Sequence, residues 1–318
     1  MSQMRDPIDW RGGRRAPSLA ETARACREQF PAHLLVSYRR RARGSKHLPR
    51  GDYSAIMFEA RFPEALLLKK ILESVKDLVQ DANFECTESG ITLQAMDNAH
   101  VSLVTLLLRG EGFDLYRVDK PESLGINLNS MSKIMRCAAN NDTVTLDKLE
   151  GADTVRFLFE SPNADRMSEF HLKLMDIDSE TLEIPESMYH AEIELPSAEL
   201  RRIVSDLSTM GDSVRISVSK EGVRFTVRGD EGSGSVILRQ STGVDKPEEA
   251  IHIVMNEPVE QSFALKYLNL FCKAAPLSAR VQIKLSKDAP LLVNFSMNNI
   301  GYLSYYLAPK IGDEDIEE

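Results

Sequence analysis

The feature that most limits what this chain can become is that it repeats itself. "LKKILESV" (Leu68 to Val75) and "LRRIVSDL" (Leu200 to Leu207) share one order of residue types, apolar, basic, basic, apolar, apolar, polar, polar, apolar, at an offset of 132. Gly-led segments of alternating polarity follow at the same offset, "GITLQAM" from Gly90 and "GVRFTV" from Gly222. Further on, "LNSMSKIMRCA" from Leu128 aligns with "LKYLNLFCKAA" from Leu265, which sets Arg136 opposite Lys273. Each copy closes on strand-like runs, "TVRFLFES" then "SEFHLKLMD" in the first, "LLVNFSM" then "GYLSYYLA" in the second.

A length of 318 residues suits two domains, and the repeat says that they are alike. Helical spacing of apolar residues in the paired stretches predicts amphipathic helices, and period-two alternation elsewhere predicts strands. The expected fold class is α+β: in each domain two short helices lie on one face of antiparallel sheets. The boundaries expected are 57–175 for the first domain, the acidic connector "DIDSETLEIPESMY" over 176–189, 190–311 for the second domain, and an acidic tail over 312–318.

Charge is distributed unevenly over this plan. The chain has a formal net charge of -9, but residues 1–56 carry +7, which leaves -16 on the other 262 residues. An acidic body repels polyanions. Against that background the helices keep a basic face, with Lys69, Lys70, Lys76, Lys133, Arg136, Arg201, Arg202, Lys266 and Lys273 on the side away from the apolar stripes. A solvated surface would need no such agreement among four helices. The pattern fits a strip that touches backbone phosphate; no aromatic residues are interleaved for stacking on bases, so contact should ignore nucleotide sequence.

Residues 1–56 differ in kind. "WRGGRRAPS" and "SYRRRARGSKHLPRGDYS" are rich in Arg, Gly and Ser without apolar periodicity, so this segment is expected to be disordered. It reads either as a localisation or targeting signal or as a leader ahead of an ordinary start at Met57. The four cysteines, Cys26, Cys86, Cys137 and Cys272, lack metal-ligand spacing and are expected to be buried thiols. No metal or cofactor is expected.

Enzyme signatures are absent. "GDEGSGS" (Gly229 to Ser235) lacks the Gly-Lys-Ser/Thr that completes a phosphate-binding loop, so a hairpin turn is expected there. "RGD" at Arg228 to Asp230 has no secretory context. The remaining catalytic thought is a dyad in which Asp97 orients His100 as a general base.

"MFEARF", "GITLQAMDNAHVSLVTLLLRGEGF" (Gly90 to Phe113), "YRVDKPESLGINLNSMSKIMRC" and the terminal "YYLAPKI" together resemble the proliferating cell nuclear antigen (PCNA) family, the eukaryotic DNA sliding clamps. The likeness runs from Met57 to about Asp315. It implies a non-enzymatic nuclear protein, a homotrimeric ring with sheets outside and helices lining the hole, working as a processivity factor in DNA replication and repair. The related DNA-damage checkpoint clamp is the alternative, and the intact terminal motif argues against it.

The resemblance assigns roles position by position. Lys69, Lys70, Lys76, Lys133, Arg136, Arg202 and Lys273 match basic residues that line the hole around duplex DNA, whereas Ser205 and Thr209 stand where relatives often carry basic residues; Arg201 compensates. Met96, His100, Leu103, Leu182, Ile184, Pro185, Pro290, Tyr306, Ala308, Pro309, Lys310 and Ile311 match the apolar pocket for partner proteins. Implied partners are DNA polymerase delta, the clamp loader and PCNA-interacting-peptide proteins. Lys220 matches a lysine modified by ubiquitin and SUMO. The strand near Asp165 to Lys173 of one subunit would pair with that near Ser233 to Gln240 of the next.

Overall fold

The computed structural model describes residues 56–178, 182, 188–241 and 249–310. The expected disordered segment, Ile184, Pro185, Ile311 and the acidic tail therefore lie outside the described residues, apart from Ile56.

The first half runs β1 (Ile56–Phe62), α1 (Ala65–Val75), β2 (Asp81–Thr87), β3 (Gly90–Met96), β4 (Ser102–Arg109), β5 (Leu115–Val118), β6 (Glu122–Asn127), α2 (Leu128–Met135), β7 (Thr143–Leu149), β8 (Thr154–Glu160) and β9 (Met167–Lys173). The second half repeats the order: β10 (Ala191–Pro196), α3 (Ser197–Leu207), β11 (Ser213–Ser219), β12 (Gly222–Gly229), β13 (Gly232–Leu238), β14 (His252–Met255), β15 (Val259–Ala264), α4 (Leu265–Phe271), β16 (Arg280–Leu285), β17 (Leu291–Ser296) and β18 (Gly301–Leu307).

All strand pairs among the described residues are antiparallel. The first half contributes a sheet ordered β5-β1-β7-β8-β9, and the second contributes one ordered β13-β12-β11-β15. A third sheet of nine strands crosses between the halves, β14-β10-β16-β17-β18-β4-β3-β2-β6. Its seam is the pairing of β18 with β4, from Gly301 opposite Leu108 to Leu307 opposite Ser102. By the repeat, β18 is the counterpart of β9, and β4 is the counterpart of β13. Those two counterparts are edge strands with one side unpaired among the described residues.

The helices form because their apolar residues fall on one stripe. Leu68, Ile71, Leu72 and Val75 of α1 are buried, as are Leu200, Ile203, Val204 and Leu207 of α3, again 132 apart. At the start of α2, Asn127 accepts a hydrogen bond from the Ser130 amide at 2.9 Å, the usual device for a free helical N–H. Helix α1 packs on α2 and α4, and α3 packs on α4, so the four helices share one layer. The turn of 3-10 helix at Cys272–Leu277 continues α4 and contacts both α1 and α3.

The Gly-led strands have a steric reason. Gly90 and Gly222 adopt φ of 146° and 131°, where side chains are strained, and a Cβ at either would come within 2.1 Å of a carbonyl oxygen on the neighbouring strand, Leu108 or Leu238. Asp230 and Glu231 form the two-residue turn between β12 and β13, so "GDEGSGS" is a hairpin, as its composition predicted.

The halves are also stitched by buried polar contacts. Tyr305, fully buried in β18, donates its hydroxyl to the Ser74 carbonyl of α1 at 3.0 Å. Tyr267 of α4 donates to the Asp97 carboxylate at 2.8 Å. Cys86 and Cys272 are buried, and burial pushes both thiols up to about 12, whereas Cys137 is exposed. That exposure corrects the expectation of a buried thiol: Cys137 lies just past α2, on its solvent side.

Candidate functional site

The helix layer carries the basic residues, but it holds them in two ways. Lys69 donates its Nζ to the Ala138 carbonyl at 2.6 Å and to Asn140 at 3.1 Å, and Lys70 reaches across the halves to the Pro276 carbonyl at 3.1 Å. Lys76 sits on the Glu73 carboxylate at 2.7 Å with its side chain only 11% exposed. Lys273 pairs with Asp77, and Arg202 with Glu199 at 2.6 Å. By contrast Lys133, Arg136, Arg201 and Lys266 are exposed and make no ion pair among the described residues.

The plain picture of lysines looking freely into solvent therefore needs correcting for Lys69, Lys70 and Lys76. Their stems lie along the protein and their amines are positioned by carbonyls and a carboxylate. A carbonyl neutralises none of the charge, so Lys69 and Lys70 still present positive potential, while Glu73 offsets much of Lys76. Glu73, Asp77, Glu199 and Asp206 stand among the cations of this layer. Ser205 and Thr209, on or just beyond α3, add no charge, and Arg201 and Arg202 border a shallow depression with Ser205, Ala275 and Pro276.

A second cluster forms where β3, β4 and β18 run side by side, with Met96 opposite Leu103 and Leu103 opposite Tyr306. Met96 and Tyr306 are half-buried, but Leu103 is only 9% exposed, so it supports this surface from beneath. His100, Pro290, Ala308 and Lys310 are exposed, and Pro309 is half-buried. The segment after β18 is fixed by the Ala308 amide donating to the Val101 carbonyl at 3.0 Å and the Lys310 amide donating to the Ser262 carbonyl at 2.8 Å.

Leu182 is exposed beside this cluster, and its anchor is a residue that sequence reasoning missed. The Gln94 side chain accepts from the Leu182 amide at 2.8 Å and donates to its carbonyl at 2.9 Å. A side-chain amide can copy one strand pairing in this way; nothing about a lone Gln in an alternating strand signals it.

The Asp97–His100 dyad does not form. The Asp97 carboxylate accepts from the amides of Ser102 (2.7 Å), Val101 (2.8 Å) and Ala99 (3.2 Å) and from Tyr267, and the His100 imidazole makes no hydrogen bond to it. Burial opposes ionisation of Asp97, but these donors outweigh it and hold its pKa below the usual carboxylate value. The same site pushes Tyr267 up to about 12, first by burial and then by its bond to the carboxylate. Asp97 is thus a structural anion that ties a loop of the first half to α4 of the second.

Lys220 is exposed in the two-residue turn between β11 and β12. Among the described residues no group of three or more His, Cys, Asp or Glu side chains is gathered as a metal site would need. No helix among them is long and apolar enough to cross a membrane.

Comparison with known proteins fits this geometry half by half. The family model for the N-terminal domain of proliferating cell nuclear antigen matches residues 57–182, and the model for its C-terminal domain matches residues 183–310. This chain belongs to that family. It is 52% identical over 259 residues to proliferating cell nuclear antigen of Chaetomium thermophilum, an alignment that spans 81% of this chain and 100% of that relative. The family is one of DNA sliding clamps, and matches to both domains favour the replication clamp over the related checkpoint clamp.

Proposed function

We propose that three copies of this clamp close head to tail into a ring around duplex DNA, with the helix layer inward, and that the ring tethers replication and repair proteins in the nucleus. The observation that carries this reading is the seam. Within one chain β18 pairs with β4, and the repeat leaves their counterparts β9 and β13 as unpaired edges, one on each half. Pairing β9 of one chain with β13 of the next repeats the seam between chains, covers both edges, and propagates in one direction as ring closure requires.

The helix layer supports weak phosphate contact by Lys69, Lys70, Lys76, Lys133, Arg136, Arg201, Arg202, Lys266 and Lys273. Contact of this kind carries no base readout, so it does not hold the ring at one sequence. The surface of Met96, His100, Leu103, Leu182, Pro290, Tyr306, Ala308, Pro309 and Lys310, with Ile184, Pro185 and Ile311, suits apolar and aromatic anchors of partner peptides, including those of DNA polymerase delta and the clamp loader. Lys220, exposed on a turn, is accessible for covalent modification. The domains proposed are 57–175 and 190–311.

Light scattering on the full chain tests the ring. The expected molar mass is about threefold that of one 35.7 kDa chain, and a strictly monomeric mass at micromolar concentration in mild salt overturns the reading.

A further inference from the structure

The outer face of the β13-β12-β11-β15 sheet carries a concentration of positive charge that the clamp reading does not use. Arg215 and Ser217 of β11, Arg224, Thr226 and Arg228 of β12, and Ser213, Ser262 and one carboxylate, Glu260, beside them line a shallow depression there. Arg215 lies 3.3 Å from Glu260 and Arg224 lies 3.8 Å from Glu221, while Arg228 has no carboxylate partner among the described residues. Lys310 adds its amine at the rim, on the Ser213 hydroxyl.

The equivalent face of the first half is already occupied. There the chain leaving β9 crosses the sheet: the Met175 amide donates to the Gly125 carbonyl at 2.9 Å, Asn83 donates to the Ile177 carbonyl at 2.9 Å, and Gln94 clasps Leu182. The second half begins the same crossing. The chain leaving β18 makes the matching first contact, Lys310 amide to Ser262 carbonyl at 2.8 Å, where Ser262 on β15 is the counterpart of Gly125 on β6. Continued along that path, the chain would next meet Arg215, the counterpart of Asn83, and then Thr226, the counterpart of Gln94, with Arg224 and Arg228 on either side.

We propose that the acidic segment 312–318 lies across this face and pairs Asp313, Glu314, Asp315 and the following glutamates with Arg215, Arg224 and Arg228. The reach is sufficient: from Lys310 the patch spans two strand spacings, roughly 10 Å, and five extended residues cover about 16 Å. Covalent attachment two residues away keeps the acidic groups at high effective concentration, which compensates for the weakness of exposed ion pairs taken singly. A docked tail cancels a positive patch on the outside of the clamp, where nucleic acid would otherwise be drawn away from the helix layer.

A nitroxide on Ile316→Cys, in full chain carrying Cys26→Ser and Cys137→Ser, tests this through the Thr226 methyl resonance. The expected result is loss of the Thr226 signal relative to the reduced label, and its recovery in Arg224→Glu/Arg228→Glu and at molar salt. A sharp Thr226 signal in the labelled protein overturns the proposal, as does broadening that survives the charge reversal. Broadening that appears only when label and isotope reside on different chains assigns the patch to a second copy's tail and also overturns it. A Thr226 signal that stays sharp until a duplex oligonucleotide is added assigns the patch to nucleic acid, with the same consequence.

Discussion

The seam inside the chain and the two free edges are built from equivalent strands, yet they differ in what they bury. At the seam Leu303, Tyr305 and Leu307 of β18 and Val104, Leu106 and Leu108 of β4 are all at most 2% exposed. At the edges the inward-facing Phe170 and Leu172 of β9 and Val236 of β13 are only half-buried, and Met167 and Ile237 face outward at 54% and 40% exposure. One surface is finished within the chain and the other is left with apolar side chains half covered. The difference teaches that a duplicated domain can code the same junction twice, once as core and once as a half-covered edge, which the proposed ring would use as its interface.

Three changes test how the halves and their edges are joined, and a pair of lysine changes tests the helix layer. Leu106→Asp, at the seam, buries an unpaired carboxylate; the cost of several kcal/mol consumes most of a total stability of about 5–15 kcal/mol, so the chain should fail to give a cooperative unfolding transition by circular dichroism. Val236→Asp makes the matching change at an edge. It should leave the far-ultraviolet spectrum intact while light scattering falls to the mass of one chain; an unchanged mass removes the edge from the interface.

Tyr267→Phe probes a seam contact on the helix side and should cost about 1–3 kcal/mol, since it strips one donor from a buried anion. Its sign with pH is specific. Asp97 has a lowered pKa when folded, so its contribution is present above about pH 4 and is lost as pH falls through that lowered value. Tyr267 is raised to about 12, so its contribution is complete below about pH 10 and is lost as pH rises toward 12. The variant should lose that alkaline dependence and keep the acid one; melting temperature against pH reads both.

The smallest effect separates free from tethered cations on the helix layer. Lys133→Ala should reduce the slope of log affinity against log salt for a short duplex by about 0.9, one released counterion, with the same change for every sequence. Lys76→Ala, whose charge already rests on Glu73, should change the slope less. Equal slopes for the two variants would mean that Glu73 does not hold Lys76 in the complex.

The repeat made the duplicated plan legible, because the stripes of α1 and α3 and the glycines that open β3 and β12 are local signals with local causes. The hairpin at Asp230 and Glu231 was legible for the same reason. The seam was not, since pairing β18 with β4 joins residues nearly two hundred positions apart and no alternation pattern names its partner. On the candidate surfaces the sequence identified which side chains are basic or apolar, but not that Lys69 and Lys70 rest on carbonyls, that Leu103 lies beneath its surface, or that Gln94 holds Leu182.

The carbonyl-held lysines have a consequence for motion. An amine on a loose stem can follow a phosphate as it moves off, stretching the contact and acting as drag. Lys69 and Lys70 are restrained at both ends, by their own backbone and by the acceptors at Ala138 and Pro276. In the proposed phosphate contact, such a charge would offer a fixed, shallow well and would not travel with the phosphate. Beneath a rod of regularly spaced phosphates, these two fixed shallow wells would add less friction than the free cations beside them.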